Sequence, residues 1–310
     1  MLTTRNANQF TVVGSMSATH ERRRLLEPRV RDEALRFGPE AQLVGILSHP
    51  PTSTGRAPGL AFVILNAGVL HRVGPHRLHV VLAWHIASSG VASLRLDLGG
   101  IGDSITTSDA ASFRESAVAD TREAMTGVTR AIGAERFVLF GVCSGADNSI
   151  ATALVDDRVA GIVLVDPAVY PTLRSQLRYL RERLAERRGP RDALRWGLHA
   201  AQHRIRQAIA DLAARRAGEA PAKGREPPPA ATFHRQLTAL ADRGVRVLAI
   251  YSGIHGAGYN RPDQLFERFP DLRGRIDHAY FADANHTFTE LAAQADLVAT
   301  ITAWIGKQFG

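Results

Sequence analysis

The 310-residue chain has one cysteine, in Gly141-Val142-Cys143-Ser144-Gly145. An apolar run at residues 137–140 leads into this pentapeptide, and a helical pattern leads out of it. Strand, sharp turn and helix around a nucleophile with glycine two residues before and two after form the elbow arrangement, with cysteine in the usual serine position. The turn strains the backbone at the nucleophile, and its flanking glycines let strand and helix approach closely. A helix N-terminus behind the sulfur lowers the cost of a thiolate and of a nearby oxyanion. The competing reading of Cys143 is an inert buried thiol, the common fate of a free cysteine. Ser144 is the alternative attacking group. It lies one residue out of register, where its backbone N–H suits an oxyanion instead.

A base should stand in the loop after the last strand, which returns above such an elbow. His286, in Ala284-Asn285-His286-Thr287-Phe288, follows a strand-like run at 275–281 and precedes the final helical pattern. There it could take the thiol proton and later protonate a leaving group, or merely cap the helix. Oxyanion donors are expected at Ser144 and in the turn after residues 60–65, where Ala67, Gly68 and Val69 are the candidates. The usual acid position, after the run at 245–251, holds Ser252-Gly253-Ile254-His255-Gly256 and no carboxylate. Asp166, closing the run at 159–165, is preferred to Asp263. A cysteine–histidine pair without a strong acid is the third option, since a thiol ionises far more readily than a serine hydroxyl.

Other chemistry-bearing groups have plainer explanations. His71, Arg72, His76 and Arg77 could bind a carboxylate or phosphate, but bracing the adjacent loop is the better reading. The i, i+4 pair His199/His203 lacks a matching third ligand, so a helix face is expected there and no metal site. Neither a phosphate loop nor a dinucleotide fingerprint is present, and no cofactor is expected.

The elements that must position these groups follow from the hydropathy pattern. Short apolar runs at 43–47, 60–65, 91–96, 137–140, 159–165, 245–251 and 275–281 alternate with helical patterns at 76–89, 113–132, 146–154, 233–243, 262–269 and 289–309. Continuous apolar strands alternating with helices predict an α/β domain, a mostly parallel sheet covered on both faces. The alternation breaks between 170 and 229. Leu173, Leu177, Leu180 and Leu184 mark one amphipathic helix, and Ile205, Ile209 and Leu212 a second; a Pro- and Gly-rich linker follows at 220–229. The expected organisation is a leader at 1–33, a core at 34–169 and 230–310, and a basic helical cap with linker at 170–229.

The charge belongs to that cap. The chain has 38 Lys/Arg and 30 Asp/Glu; residues 172–226 carry 14 and 6 of these, leaving 24 of each elsewhere. The net +8 is therefore local, and a whole-protein argument for nucleic acid fails. A solvated helical face is the commonest origin of such a run. An anionic substrate or an acidic carrier protein presenting an acyl group is the functional alternative. The single cysteine excludes an intramolecular disulfide. No apolar run is long enough to span a bilayer and no secretory signal pattern opens the chain, so a cytoplasmic location is the expectation.

From about Leu35 onward the chain resembles bacterial α/β-hydrolases, especially the hydrolases associated with exosortase A systems. The resemblance rests on Asn66-Ala67-Gly68, Arg72-Val73-Gly74-Pro75-His76-Arg77, the run from Arg95 to Ser104, the cysteine elbow and Ala284-Asn285-His286-Thr287-Phe288. It implies an α/β-hydrolase fold with a helical cap, a cysteine nucleophile, a turn-building role for Asp97 and Asp103, and a place in a bacterial biosynthetic or export gene cluster. The function expected is attack by Cys143 on an ester, thioester or related acyl group, with His286 as acid–base and either hydrolysis or acyl transfer to follow. The alternative is a non-catalytic relative that binds an acyl ligand or carrier protein, supported by the missing acid after the seventh strand.

Overall fold

The computed structural model describes residues 30–51, 59–106, 112–186, 227–256 and 258–310, with isolated positions 189, 195, 202 and 206. Eight strands form one sheet: β1 (Arg31–Phe37), β2 (Leu43–His49), β3 (Leu60–Ile64), β4 (Ala92–Asp97), β5 (Arg136–Val142), β6 (Val159–Val165), β7 (Arg246–Ser252) and β8 (Asp277–Phe281). Their order is β1-β2-β4-β3-β5-β6-β7-β8. β2 runs antiparallel to both β1 and β4, and every other pairing is parallel. Parallel neighbours need crossovers, which helices supply. These are α1 (Leu78–Ser88), α2 (Phe113–Ile132), α3 (Ser144–Val155), α4 (Leu173–Ala185), α5 (Ala230–Asp242), α6 (Gln264–Arg268) and α7 (Leu291–Phe309).

Successive strand residues point to opposite faces, so each continuous apolar strand feeds two cores. Val63, Leu139 and Leu164 pack on one face with Met125 of α2, Ile150 of α3 and Phe233 of α5. Phe62, Phe140 and Val163 pack on the other with Leu82 of α1 and Ile301 and Trp304 of α7. The expected sheet, helix-covered on both sides, is the observed one.

β1 was not expected as a strand, and it begins at Arg31, inside the segment assigned to the leader. It is an edge strand with four charged residues and one buried residue, Phe37, so it carries no apolar run. Backbone pairing to β2 and Asp32 hold it; the Asp32 carboxylate accepts from Ser48 Oγ at 2.5 Å and Arg95 Nη2 at 2.8 Å. Helix α4 lies in the segment expected to form a cap. The second cap helix near 205–212, most of the linker and residues 1–29 lie outside the described residues.

Candidate active site

β5 and β6 are parallel neighbours in register, Val142 opposite Val165. The next residues, Cys143 and Asp166, therefore emerge side by side at the carboxyl edge of the sheet, where α/β sheets place their ligands. Both leave their strands with positive φ, +57° for Cys143 and +46° for Asp166. Non-glycine residues hold such angles only when their surroundings impose them. Cys143 N–H donates to Val165 O at 2.9 Å, and its carbonyl accepts from Ala146 N–H at 3.0 Å as α3 begins. The flanking glycines are obligatory. A Cβ on Gly141 would lie 2.0 Å from the Gly145 carbonyl carbon, and one on Gly145 would lie 2.6 Å from Asn66 O.

His286 comes from the turn after β8. Asn285 Oδ1 accepts from the N–H groups of Thr287 and Thr289 at 3.2 and 3.1 Å, closing the turn. Phe288, fully buried at φ +49°, anchors it in the core. The imidazole then bridges the two strand ends. Its Nδ1 lies 2.7 Å from Asp166 Oδ2, and it also hydrogen-bonds the Cys143 thiol. The bond to Asp166 and then that to Cys143 outweigh partial burial and push the His286 pKa up to about 9.

The acid is assembled by the segment that lacks one. Ser252, ending β7, donates its N–H to Asp166 Oδ1 and its hydroxyl to Oδ2, both at 2.7 Å. His255 Nε2 lies 3.0 Å from Oδ1, though not aligned as a hydrogen bond. Close packing brings this turn to the His286 loop: a Cβ on Gly253 would lie 1.8 Å from Ala282 O. The rings of His255 and His286 meet edge to face at 6.0 Å. Burial by itself would raise the Asp166 pKa; the two imidazoles and the Ser252 N–H reverse that and hold it well below the usual carboxylate range. Ser252 and His255 were not singled out in the sequence. Their signal was available, as hydrogen-bonding residues in the place where the fold's acid usually stands.

Of the oxyanion candidates, Ser144 heads α3 and its Oγ accepts from Gly68 N–H at 3.0 Å, joining the elbow to the loop after β3. Ala67 is buried, Gly68 has φ +61°, and Val69 is 81% exposed. Beneath this loop, Asp97 is buried and accepts from the N–H groups of Arg72 and Asp103 at 2.6 and 3.3 Å and from Asn66 Nδ2 at 3.2 Å. The Arg72 guanidinium pairs with Asp97 and, at 2.7 Å, with Asp103. Arg72 thereby ties the loop after β3 to the turn after β4 that Asp97 and Asp103 build. Asp263 stands apart from these groups in its contacts: its carboxylate is 3.7 Å from Arg273. Asp166, His255 and His286 offer three ligand atoms within 4.8 Å of one another, but the Asp166 carboxylate is already hydrogen-bonded to His286 and to Ser252. His71, Asp97 and Asp103 form a second such group, where the Arg72 guanidinium opposes a cation. His199 and His203 lie outside the described residues.

The chain has the α/β-hydrolase fold. An esterase from Pyrococcus furiosus superposes with a TM-score of 0.57 at 12% identity, over 98% of both chains. An α/β serine hydrolase homologue from Coxiella burnetii gives 0.53 at 15% identity, over 89% of this chain and 97% of that one. A dienelactone hydrolase from Anabaena variabilis gives 0.52 at 14% identity, over 91% and 100%. No family model matches the sequence, and no curated protein does. Among the described residues, no helix is long and apolar enough to cross a membrane.

Proposed function

We propose that the protein is a hydrolase or acyltransferase that works through an acyl-thioester on Cys143. The observation that carries this reading is the chain of contacts Cys143–His286–Asp166, with 2.7 Å between His286 Nδ1 and Asp166 Oδ2. An imidazole with a pKa near 9 favours a thiolate–imidazolium pair at neutral pH. The sulfur attacks the carbonyl carbon of an ester or thioester, and the carbonyl π electrons move to oxygen. The backbone N–H of Ser144 and one in the Ala67–Gly68–Val69 turn stabilise that oxygen. Collapse expels the leaving group, which takes the His286 proton and leaves acyl-Cys143 and neutral imidazole. His286 then removes a proton from water, an alcohol or an amine as it attacks the thioester, and the free acid, ester or amide departs. The Asp166 carboxylate fixes the ring tautomer and stabilises the imidazolium, and Ser252 and His255 position that carboxylate.

Ser144 fits the attacking role less well, because its Oγ is engaged with Gly68. The non-catalytic reading drew its support from a missing acid, and Asp166 within 2.7 Å of His286 removes that support. The structural neighbours titled esterase, serine hydrolase homologue and dienelactone hydrolase agree with acyl chemistry at the level of the fold. Turnover of a panel of short- and long-chain aryl esters and acyl thioesters tests the proposal. The wild type is expected to cleave at least one class, while Cys143→Ala and His286→Ala fall to background with unchanged circular dichroism. Equal turnover by Cys143→Ala would move the chemistry elsewhere.

A further inference from the structure

Helix α4 is amphipathic, and it is turned the wrong way for a helix packed on a core. It meets the body through Ser175, which is buried and whose carbonyl accepts from Asn260 Nδ2 at 2.9 Å, and through Tyr179, whose ring packs against Gly256. These residues are one turn apart on one face. Leu173, Leu177, Leu180 and Leu184, at i, i+4, i+7 and i+11, occupy a different face and are 42–75% exposed. At 100° per residue, Arg174, Arg178 and Arg181 line one flank of the leucine stripe and Arg183 the other, while Glu182 falls on the far side. A contiguous apolar stripe left in water marks a contact surface rather than a core face.

We propose that the outward face of α4 docks on an anionic lipid surface and holds the carboxyl edge of the sheet against it. Leucines in line would enter the headgroup region, and the long arginine side chains beside them would reach lipid phosphates while their stems stay apolar. Charge points the same way: α4 itself carries four arginines against one glutamate, and the ion pairs that Arg178 and Arg183 make with Glu182 and Glu186 lie at the exposed surface, where such pairs are weak. The helix also stands next to the catalytic apparatus. Gly256, under Tyr179, adjoins His255, which contacts Asp166, and exposed Ile254 lies on the same turn. A protein docked this way would draw acyl substrate from, or deliver it to, the bilayer interface. The docking itself does not depend on the acyl-Cys143 reading.

Flotation of the full chain with vesicles tests the proposal, comparing phosphatidylcholine alone with phosphatidylcholine containing phosphatidylglycerol. Binding is expected only to the anionic vesicles and should weaken as salt is added. Leu177→Ser/Leu180→Ser and Arg174→Glu/Arg178→Glu/Arg181→Glu should each bind roughly tenfold more weakly or worse, with melting temperature and Cys143 alkylation unchanged. Absence of binding by folded wild type overturns the proposal. Undiminished binding by both variants overturns it as well. So does a self-associated wild type that the leucine variant renders monomeric without any vesicle binding, and so does stripe-dependent binding of a purified acyl-carrier protein in place of vesicles.

Discussion

Cys143 holds φ at +57° because a tight bend and two close backbone approaches leave it no alternative. Asp166, with φ +46°, follows the neighbouring strand, its N–H donating to Ile250 O and its carboxylate held by Ser252. The spacing of these two residues is therefore set by the sheet, and His286 has only to swing between them. Its titration is the most informative residue-level property. Hydrogen bonds to Asp166 and Cys143 raise its pKa to about 9 from an ordinary value near about 6.5. A raised pKa means that the proton is bound below about 9 and lost above it, so acyl-transfer rates should fall as pH rises through about 9. In Asp166→Asn the largest contribution to that shift disappears. The alkaline limb should then move down, and kcat/KM should drop roughly a hundred- to ten-thousand-fold, as stopped-flow or steady-state rates across pH would record. An unmoved limb in Asp166→Asn would separate this carboxylate from the imidazole's chemistry.

At the scale of elements, the site is a meeting of four strand ends. β5 supplies the elbow, β6 the carboxylate, β7 the groups that hold the carboxylate, and the loop after β8 the histidine. The elbow tolerates no side chain at its glycines. Gly145→Ala puts a methyl 2.6 Å from Asn66 O, in the loop that carries Gly68. That overpacking should cost about 3 kcal/mol, read as a lower urea midpoint with an unchanged slope. A neutral outcome would mean that the elbow and the loop after β3 are not packed as described. Most of these elements were legible in the sequence, because fully buried strands such as β6 read as unbroken apolar runs and α2 shows a helical pattern over 113–132. β1 was not legible, since an edge strand made largely of charged residues is recognisable only through its backbone partner. Asp166 could be nominated from its position after β6, but its tie to His286 spans 120 residues and depends on strand order, which no local pattern encodes. His255 escaped notice because a search for a carboxylate passes over the residues that would steady one supplied from elsewhere.

Packing occupies the two faces of the sheet, and the strained residues occupy its carboxyl edge. Both cores are built from aliphatic and aromatic side chains beneath the sheet's carboxyl edge, and the strained residues Cys143 and Asp166 gather on that edge. The positive charge is concentrated in residues 172–226, and the remainder is electrically balanced. Attack by the elbow sulfur is the claim on which the catalytic account rests, and covalent capture addresses it without knowledge of the natural acceptor. The protein should be mixed with activated acyl thioesters, quenched in acid, weighed intact, and then digested to locate the added mass. One acyl group per chain on the Cys143 peptide, absent from Cys143→Ala and slowed in His286→Ala, is the predicted result. An acyl group on Ser144, or an adduct that survives Cys143→Ala, would contradict the account.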